Sequence, residues 1–304
     1  NNRVYLFPIL MKRFLIHIIL FVVPLLIVAI LLEIIAERIP NSYTYKHQYM
    51  EQHAAHIQTL ILGSSYAYDG LAPSELPAAF NLSNSSQTLE DDYRLLARYI
   101  PQMDSLQTVV LGVGHGTLAM RTQDNRRLYY TLYMNLYPRW PISKYSMEVF
   151  DMPLLTKKII KYIISRDVTR CDSLGQRLGH DSVAVAQQTE FWNKDIAAMV
   201  ANDRVEVDAI RDVIAQNSAY LDSIVSLCAA RDVQLLVVSM PAMDAYVSAL
   251  PPKQVALHDS VFSVLPAPAV YIAATAWEVP AGGWYNPTHL TRETSIPFTQ
   301  WLLP

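Results

Sequence analysis

The stretch TLILGSSYAYDGL, residues 59–71, runs from an apolar segment, Leu60-Ile61-Leu62, straight into a glycine and two serines. A short unbroken apolar run bounded by Gly and Ser has the composition of a buried strand that ends in a turn. Small hydroxyl residues at a strand end make an ordinary loop. They also make the turn on which several hydrolase folds expose a serine nucleophile. The rest of the chain has to separate these two readings.

Working outward, further apolar runs follow. AAFNLSNSSQTL (78–89) predicts a short strand and then a polar Ser/Asn turn. LQTVVLGVG (106–114), VQLLVVSMP (233–241) and PAVYIAAT (268–275) read as three more strands. Between them, EDDYRLLARYI (90–100) sets Tyr93, Leu95, Leu96, Tyr99 and Ile100 on one side of a helix. Residues from about 190 to 230 read as one long helix striped by Ile210, Val213, Ile214, Tyr220, Leu221, Ile224 and Leu227. RETSIPFTQWLL (292–303) reads as a closing helix broken by Pro297. Helices alternating with continuously apolar strands predict an α/β fold with a mostly parallel sheet. Ligands in such sheets sit beyond the carboxyl ends of the strands. The turns at 63–65, 84–86, 112–117 and 239–241 are therefore the places to look for chemistry.

The 304 residues suffice for one soluble domain of about 200–250 residues plus extra elements. A net charge of −3 gives no reason to expect nucleic acid as a partner. Hydrophobic residues make up 52% of the chain, and the excess is concentrated in FLIHIILFVVPLLIVAILL (14–32), which has the length of about 19 residues that crosses a bilayer. No small-residue cleavage site follows it, so a retained anchor is expected rather than a signal peptide. Pro24 sits inside it, where lipid-embedded helices tolerate proline. Lys12 and Arg13 precede it, which puts the N-terminus in the cytoplasm and the remainder outside. The expected organisation is a cytoplasmic N-terminus (1–13), a transmembrane anchor (14–36), a polar connector with helical stretches (37–58) and an extracytoplasmic domain (59–304). That domain carries a helical insertion at about 120–230.

Within the insertion, RRLYYTLYMNLYPRWPISKY (126–145) is rich in Tyr and Arg. It suits a glycan groove, a membrane- or partner-facing surface, or tyrosines packed onto the domain. LLTKKIIKYII (154–164) reads as helix. Cys171 and Cys228 could pair as a disulfide or stay as two buried thiols, and their spacing matches no zinc pattern. Gly112, Gly114 and Gly116 do not have the spacing of a dinucleotide fingerprint. Neither a metal nor another cofactor is expected.

A serine nucleophile needs a base within hydrogen-bond reach and a group to orient that base. Of eight histidines, one lies in the apolar span, three in the connector, and His180 and His258 in contexts without a motif. His115 sits at a strand end. His289, in GGWYNPTHLTRE (282–293), has the better setting. Asn286 precedes it by three residues, a spacing at which one side chain reaches the other in a turn. An ordinary helix-capping loop, with Thr291 or Asn286 as cap, is the competing reading.

Taken together, LGSSY, NLSNSSQT, GVGHGT and NPTH occur in an order that resembles the SGNH (GDSL-like) esterase and acyltransferase superfamily. LGSSY is similar to the Gly-Thr-Ser-Tyr block of the alginate O-acetyltransferase branch and to the Gly-Ser-Ser block of the D-alanyl-teichoic-acid transfer proteins. The resemblance covers residues 59–117 and 233–304. It implies a three-layer SGNH-like α/β domain, tethered to a bacterial cytoplasmic membrane. It implies Ser65, rather than Ser64, as nucleophile and His289 as base. The backbone amides of Ser65 and Ser86 become oxyanion donors, and Tyr66, Asn84 and Gly114 line the pocket. It also implies a multi-span membrane-bound O-acyltransferase as partner and a polysaccharide or teichoic-acid-like polymer as acceptor.

Two positions depart from the pattern. GVGHGT lacks the oxyanion Asn of the third block, which leaves His115 as a substitute or one donor missing, a cost of roughly 2.7–4 kcal/mol. Asn286 stands where the pattern has Asp. A neutral orienter supplies no charge and can hold the wrong tautomer; in a serine protease the Asp-to-Asn change costs about 10⁴ in turnover. The expectation is an O-acyltransferase acting through a serine ester. An esterase, and a non-catalytic scaffold for the acyltransferase, are the alternatives.

Overall fold

The computed structural model describes residues 3–165, 169–178, 188–274 and 277–302. It opens with α1 (Arg3–Arg38), a single helix of 36 residues, then α2 (Ser42–His53). The α/β part runs β1 (Thr59–Gly63), α3 (Ser65–Gly70), β2 (Ala79–Asn81), α4 (Leu89–Tyr99) and β3 (Thr108–Val113). The middle holds α5 (Asp124–Tyr133), α6 (Met152–Ser165), α7 (Gln188–Asp203) and α8 (Arg211–Ala229). The chain closes with β4 (Gln234–Ser239), α9 (Asp244–Ala249), α10 (Pro252–Phe262), β5 (Ala269–Ala273), the antiparallel pair β6 (Trp284–Asn286) and β7 (His289–Leu290), and α11 (Arg292–Trp301).

Five strands form one parallel sheet in the order β2-β1-β3-β4-β5. Side chains alternate across it. Leu60, Leu62, Val109, Leu111, Leu235 and Val237 feed one apolar cluster, together with helix residues such as Leu95, Leu96 and Ile224. Ile61, Val110 and Val238 feed a second cluster with Ala67, Leu290 and Phe298. The strand order reverses between β1 and β3, and a crevice opens where such a reversal occurs. Gly63 and Gly112 are paired at the ends of these two strands. Gly63 has φ +121°, and a Cβ there would lie 2.4 Å from the Gly112 carbonyl oxygen. No side chain fits that close approach, so the turn into α3 requires glycine.

Two details differ from the sequence-based expectations. The long helix at 190–230 is two helices, α7 and α8, interrupted at Arg204–Ile210. α11 passes through Pro297 unbroken; at the sixth helical position the proline forgoes one hydrogen bond near the start of a helix anchored by the buried Phe298. The connector carries a helical stretch, and it packs into the fold. α2 starts at an Asn41 cap whose side chain accepts from the Thr44 N–H at 3.0 Å, and it buries Tyr43, Lys46 and Met50.

Met11–Arg38 is long and apolar enough to cross a membrane. Its far end is fastened to the folded part. Glu33 is buried and accepts the N–H groups of Glu148 (2.8 Å) and Val149 (2.9 Å). Lys158 on α6 donates to the Ala36 carbonyl at 2.9 Å and pairs with Glu148 at 2.5 Å. Tyr133 also bonds Glu148. Cys171 and Cys228 are buried thiols and not a disulfide pair. Burial pushes the Cys228 thiol up to about 12.

Candidate active site

The crevice at the β1 and β3 ends is built in three steps. β1 ends at Gly63, whose N–H donates to the Asp92 carboxylate at 2.9 Å, and the chain turns at once into α3. Ser64 lies just before the helix, buried, and its Oγ has no hydrogen-bond partner among the described residues. Ser65 is the first helical residue. Two hundred and twenty-four positions later its Oγ meets His289 Nε2 at 2.8 Å.

The β6–β7 hairpin supplies the imidazole. A two-residue turn, Pro287-Thr288, sets Asn286 directly opposite His289. Asn286 Oδ1 is 2.9 Å from His289 Nδ1 and also 2.9 Å from the backbone N–H of Thr288. That N–H can only donate, so the atom facing it is the amide oxygen and not the nitrogen. An oxygen at this place accepts a hydrogen bond from Nδ1–H. The ring is then held as the Nδ1–H tautomer, with the Nε2 lone pair toward Ser65. Thr288 Oγ1, 2.9 Å from Nδ1 and 3.3 Å from Asn286 Oδ1, closes the same small network. A neutral asparagine thus orients the imidazole, and a backbone amide orients the asparagine.

A negative charge is also present, at a position the sequence reading missed. Asp69, buried and one helical turn after Ser65, places Oδ2 3.8 Å from His289 Nε2. Arg177 lies 3.3 Å from the same oxygen. The signal was the i, i+4 spacing of Ser65 and Asp69 on one face of a short helix. Arg177 comes from a segment with no motif. Residues 171–177 fold back on themselves, Leu174 accepts the Asn81 N–H at 2.9 Å, and the Arg177 N–H donates to Tyr68 at 3.1 Å. That docking carries the guanidinium to α3.

Tyr66 stacks on His289, with ring centroids 5.0 Å apart and planes 19° from parallel. Burial raises the pKa of its hydroxyl above the ordinary phenol value, with Tyr246 and Thr288 acting the other way. Gly114 makes room for it: a Cβ there would lie 2.7 Å from the Tyr66 ring. Ser86 adopts φ 58°, in the left-handed region. Asn84 is buried, takes a bond from Ser42 Oγ at 3.3 Å through Oδ1, and keeps an Nδ2 without a partner among the described residues. The second turn is further held by Asp92, which accepts from Gln87 at 2.6 Å as well as from Gly63. Burial pushes this carboxyl up to about 7.

His115 is differently placed. Its ring stacks on His258 at 4.6 Å and lines a separate cavity of about 890 Å³ with Trp277 and Trp284. Burial lowers its pKa. His258 bonds Ser239 at 2.9 Å; burial first, then the His115 ring, push it down to about 3. Both imidazoles are therefore neutral near pH 7. His180 lies outside the described residues. Comparison with known proteins finds no matching family model and no matching curated protein.

Proposed function

We propose that this chain is a serine-dependent O-acyltransferase with an SGNH-like, three-layer domain, acting at the outer face of a bacterial cytoplasmic membrane. The observation that carries the reading is the 2.8 Å contact between Ser65 Oγ and His289 Nε2, with Asn286 on the other ring nitrogen. A hydroxyl and an oriented base at this distance are the parts needed for a covalent acyl intermediate.

In the proposed cycle, Ser65 Oγ attacks the donor carbonyl and its proton passes to His289 Nε2. The backbone amides of Ser65 and Ser86 face the developing oxyanion, and the Asn84 amide is the third donor. His289 returns the proton to the leaving group, and the acyl group stays on Ser65 as an ester. An acceptor hydroxyl then attacks that ester while His289 takes its proton, releasing the acylated acceptor and restoring the serine. The Asp69 carboxylate favours the imidazolium in both half-reactions, offset in part by Arg177. The site needs neither metal nor cofactor in this scheme.

The acyl donor is proposed to be a multi-span membrane-bound O-acyltransferase, and the acceptor a cell-surface polysaccharide or teichoic-acid-like polymer. Proximity to the bilayer supports a donor within it. Ser42, which bonds Asn84, follows Arg38 by only four residues, a reach of at most about 14 Å. Acetyl is the proposed group.

Incubation with p-nitrophenyl acetate and intact-protein mass spectrometry tests the reading. A single acetyl adduct that is absent in Ser65→Ala supports it. Lack of any adduct, with polymer modification retained in cells carrying Ser65→Ala, would instead make the domain a scaffold for its partner, a role to which the neutral Asn286 is suited. Adding an oligosaccharide acceptor separates transfer from hydrolysis, since an esterase would give free acetate alone.

A further inference from the structure

We propose that the exposed face of α6 lies in the headgroup layer of the bilayer that α1 crosses. α6 buries Leu155 and packs Lys158 inward, onto the end of α1. A helix that buries one side against its own domain should turn a polar side to water. α6 does the reverse. Met152, Ile160, Ile163 and Ile164 point outward, Ile164 with 78% of its surface exposed. Lys157 and Lys161, one turn apart, line the same outer trough. Large apolar residues flanked by lysines make the composition of a helix that lies in a membrane interface. The lysine stems cover apolar surface while their ammonium groups reach the phosphates.

The level of the helix fits that layer. The uncharged stretch of α1 ends at Glu33, and Lys158 is bonded to Ala36, three residues further on. At 1.5 Å per residue that is ~4.5 Å beyond the apolar span. The headgroup zone is about 5–8 Å deep on each side of the hydrocarbon. Nearby Trp140, 75% exposed, belongs to the residue type enriched at that depth. The bilayer is chosen over a protein partner because the face is continuous with a membrane-spanning helix and carries cations toward an anionic surface.

The proposal rests on α1 crossing the membrane and is independent of the acyl chemistry. The full chain is reconstituted in vesicles of phosphatidylethanolamine and phosphatidylglycerol. Nitroxide labels are attached at Ile164→Cys, at Leu25→Cys within α1, and at the exposed Asp222→Cys on α8, with the unsubstituted chain as control for Cys171 and Cys228. Relaxation by oxygen is compared with relaxation by a water-soluble nickel chelate. The expected result is that the label at 164 favours oxygen several-fold relative to the one at 222, and less than the one at 25. A label at 164 that behaves like that at 222, while 25 reports lipid, overturns the proposal and leaves the anchor intact. Nickel access at 25 would overturn both. Shielding of 164 from both agents would show that a second copy covers the face, and would overturn it too.

Discussion

At the scale of single residues, the question posed by Asn286 is which proton His289 carries. The Thr288 N–H answers it by holding the amide oxygen toward the ring. The tautomer part of the penalty for replacing an acid by an amide is thereby removed, and only the charge part remains. Asn286→Asp should then raise kcat of acyl transfer by about ten-fold, the equivalent of about 1.4 kcal/mol, and not by the full 10⁴ seen where the tautomer is wrong. Asp69→Asn should lower kcat by a similar factor with KM unchanged, because the carboxylate faces the imidazole and not the acyl group. Steady-state kinetics on an ester substrate reads both. If Asp69→Asn left kcat unaltered, the 3.8 Å carboxylate would have no part in the reaction. Ser65, His289 and Asn286 were legible in the sequence because each sits in a short turn with a recognisable neighbour pattern. Asp69 was half legible, through its spacing from Ser65. Arg177 was not legible at all, since what brings it to α3 is the seating of a motif-free segment against β2.

At the scale of elements, the order of strands and helices could be read from apolar runs, because a parallel strand buried on both faces leaves an unbroken signature. The hairpin that carries the base could not. β6 and β7 have three and two residues, and their pairing depends on Gly283, where a Cβ would lie 2.9 Å from the Pro280 carbonyl oxygen. The break between α7 and α8 was hidden because every residue of the apolar stripe, Ile210 to Leu227, lies in α8 or at its N-cap, so the stripe carries no information about where the preceding helix stops. Gly114 couples two elements, β3 and α3, through the Tyr66 ring. Gly114→Ala should force that ring off its stack with His289, destabilise the fold by about 1–3 kcal/mol and lower acyl transfer at least ten-fold. Thermal melts and the ester assay check this together, and Gly116→Ala, where a Cβ meets nothing within 4 Å, is the control.

On the scale of the whole molecule, Lys46 shows what anchoring the connector costs. It is fully buried, bonds the Ser83 carbonyl and sits 4.1 Å over the Tyr68 ring. Burial, opposed by weaker pulls from Cys171, Asp172 and Asp69, lowers its pKa to about 7. The group is therefore depressed in the folded state and ordinary in the unfolded chain. Its penalty is absent above about pH 10.5, develops as pH falls toward 7, and is complete below that. Lys46→Met should raise Tm by several degrees at pH 6, with the gain fading as pH is raised to 10. Melting curves at three pH values check the sign, and a gain that grew with pH would contradict it. Such a cost is invisible in the sequence, where a lysine in a polar stretch reads as solvent-facing.

The clasp between Glu33, Glu148, Lys158 and the Ala36 carbonyl has a mechanical consequence. A globular body on a slack leader can swing and reach for a substrate at many heights. One bolted to its stalk cannot; it turns only when the stalk turns and leans only when the stalk leans. With α1 across a bilayer, as proposed, its altitude above the lipid would be set once, by the length of a helix. On the proposed function, an acceptor polymer would have to pass at that altitude and a donor deliver there, and bilayer thickness would become a variable of the reaction.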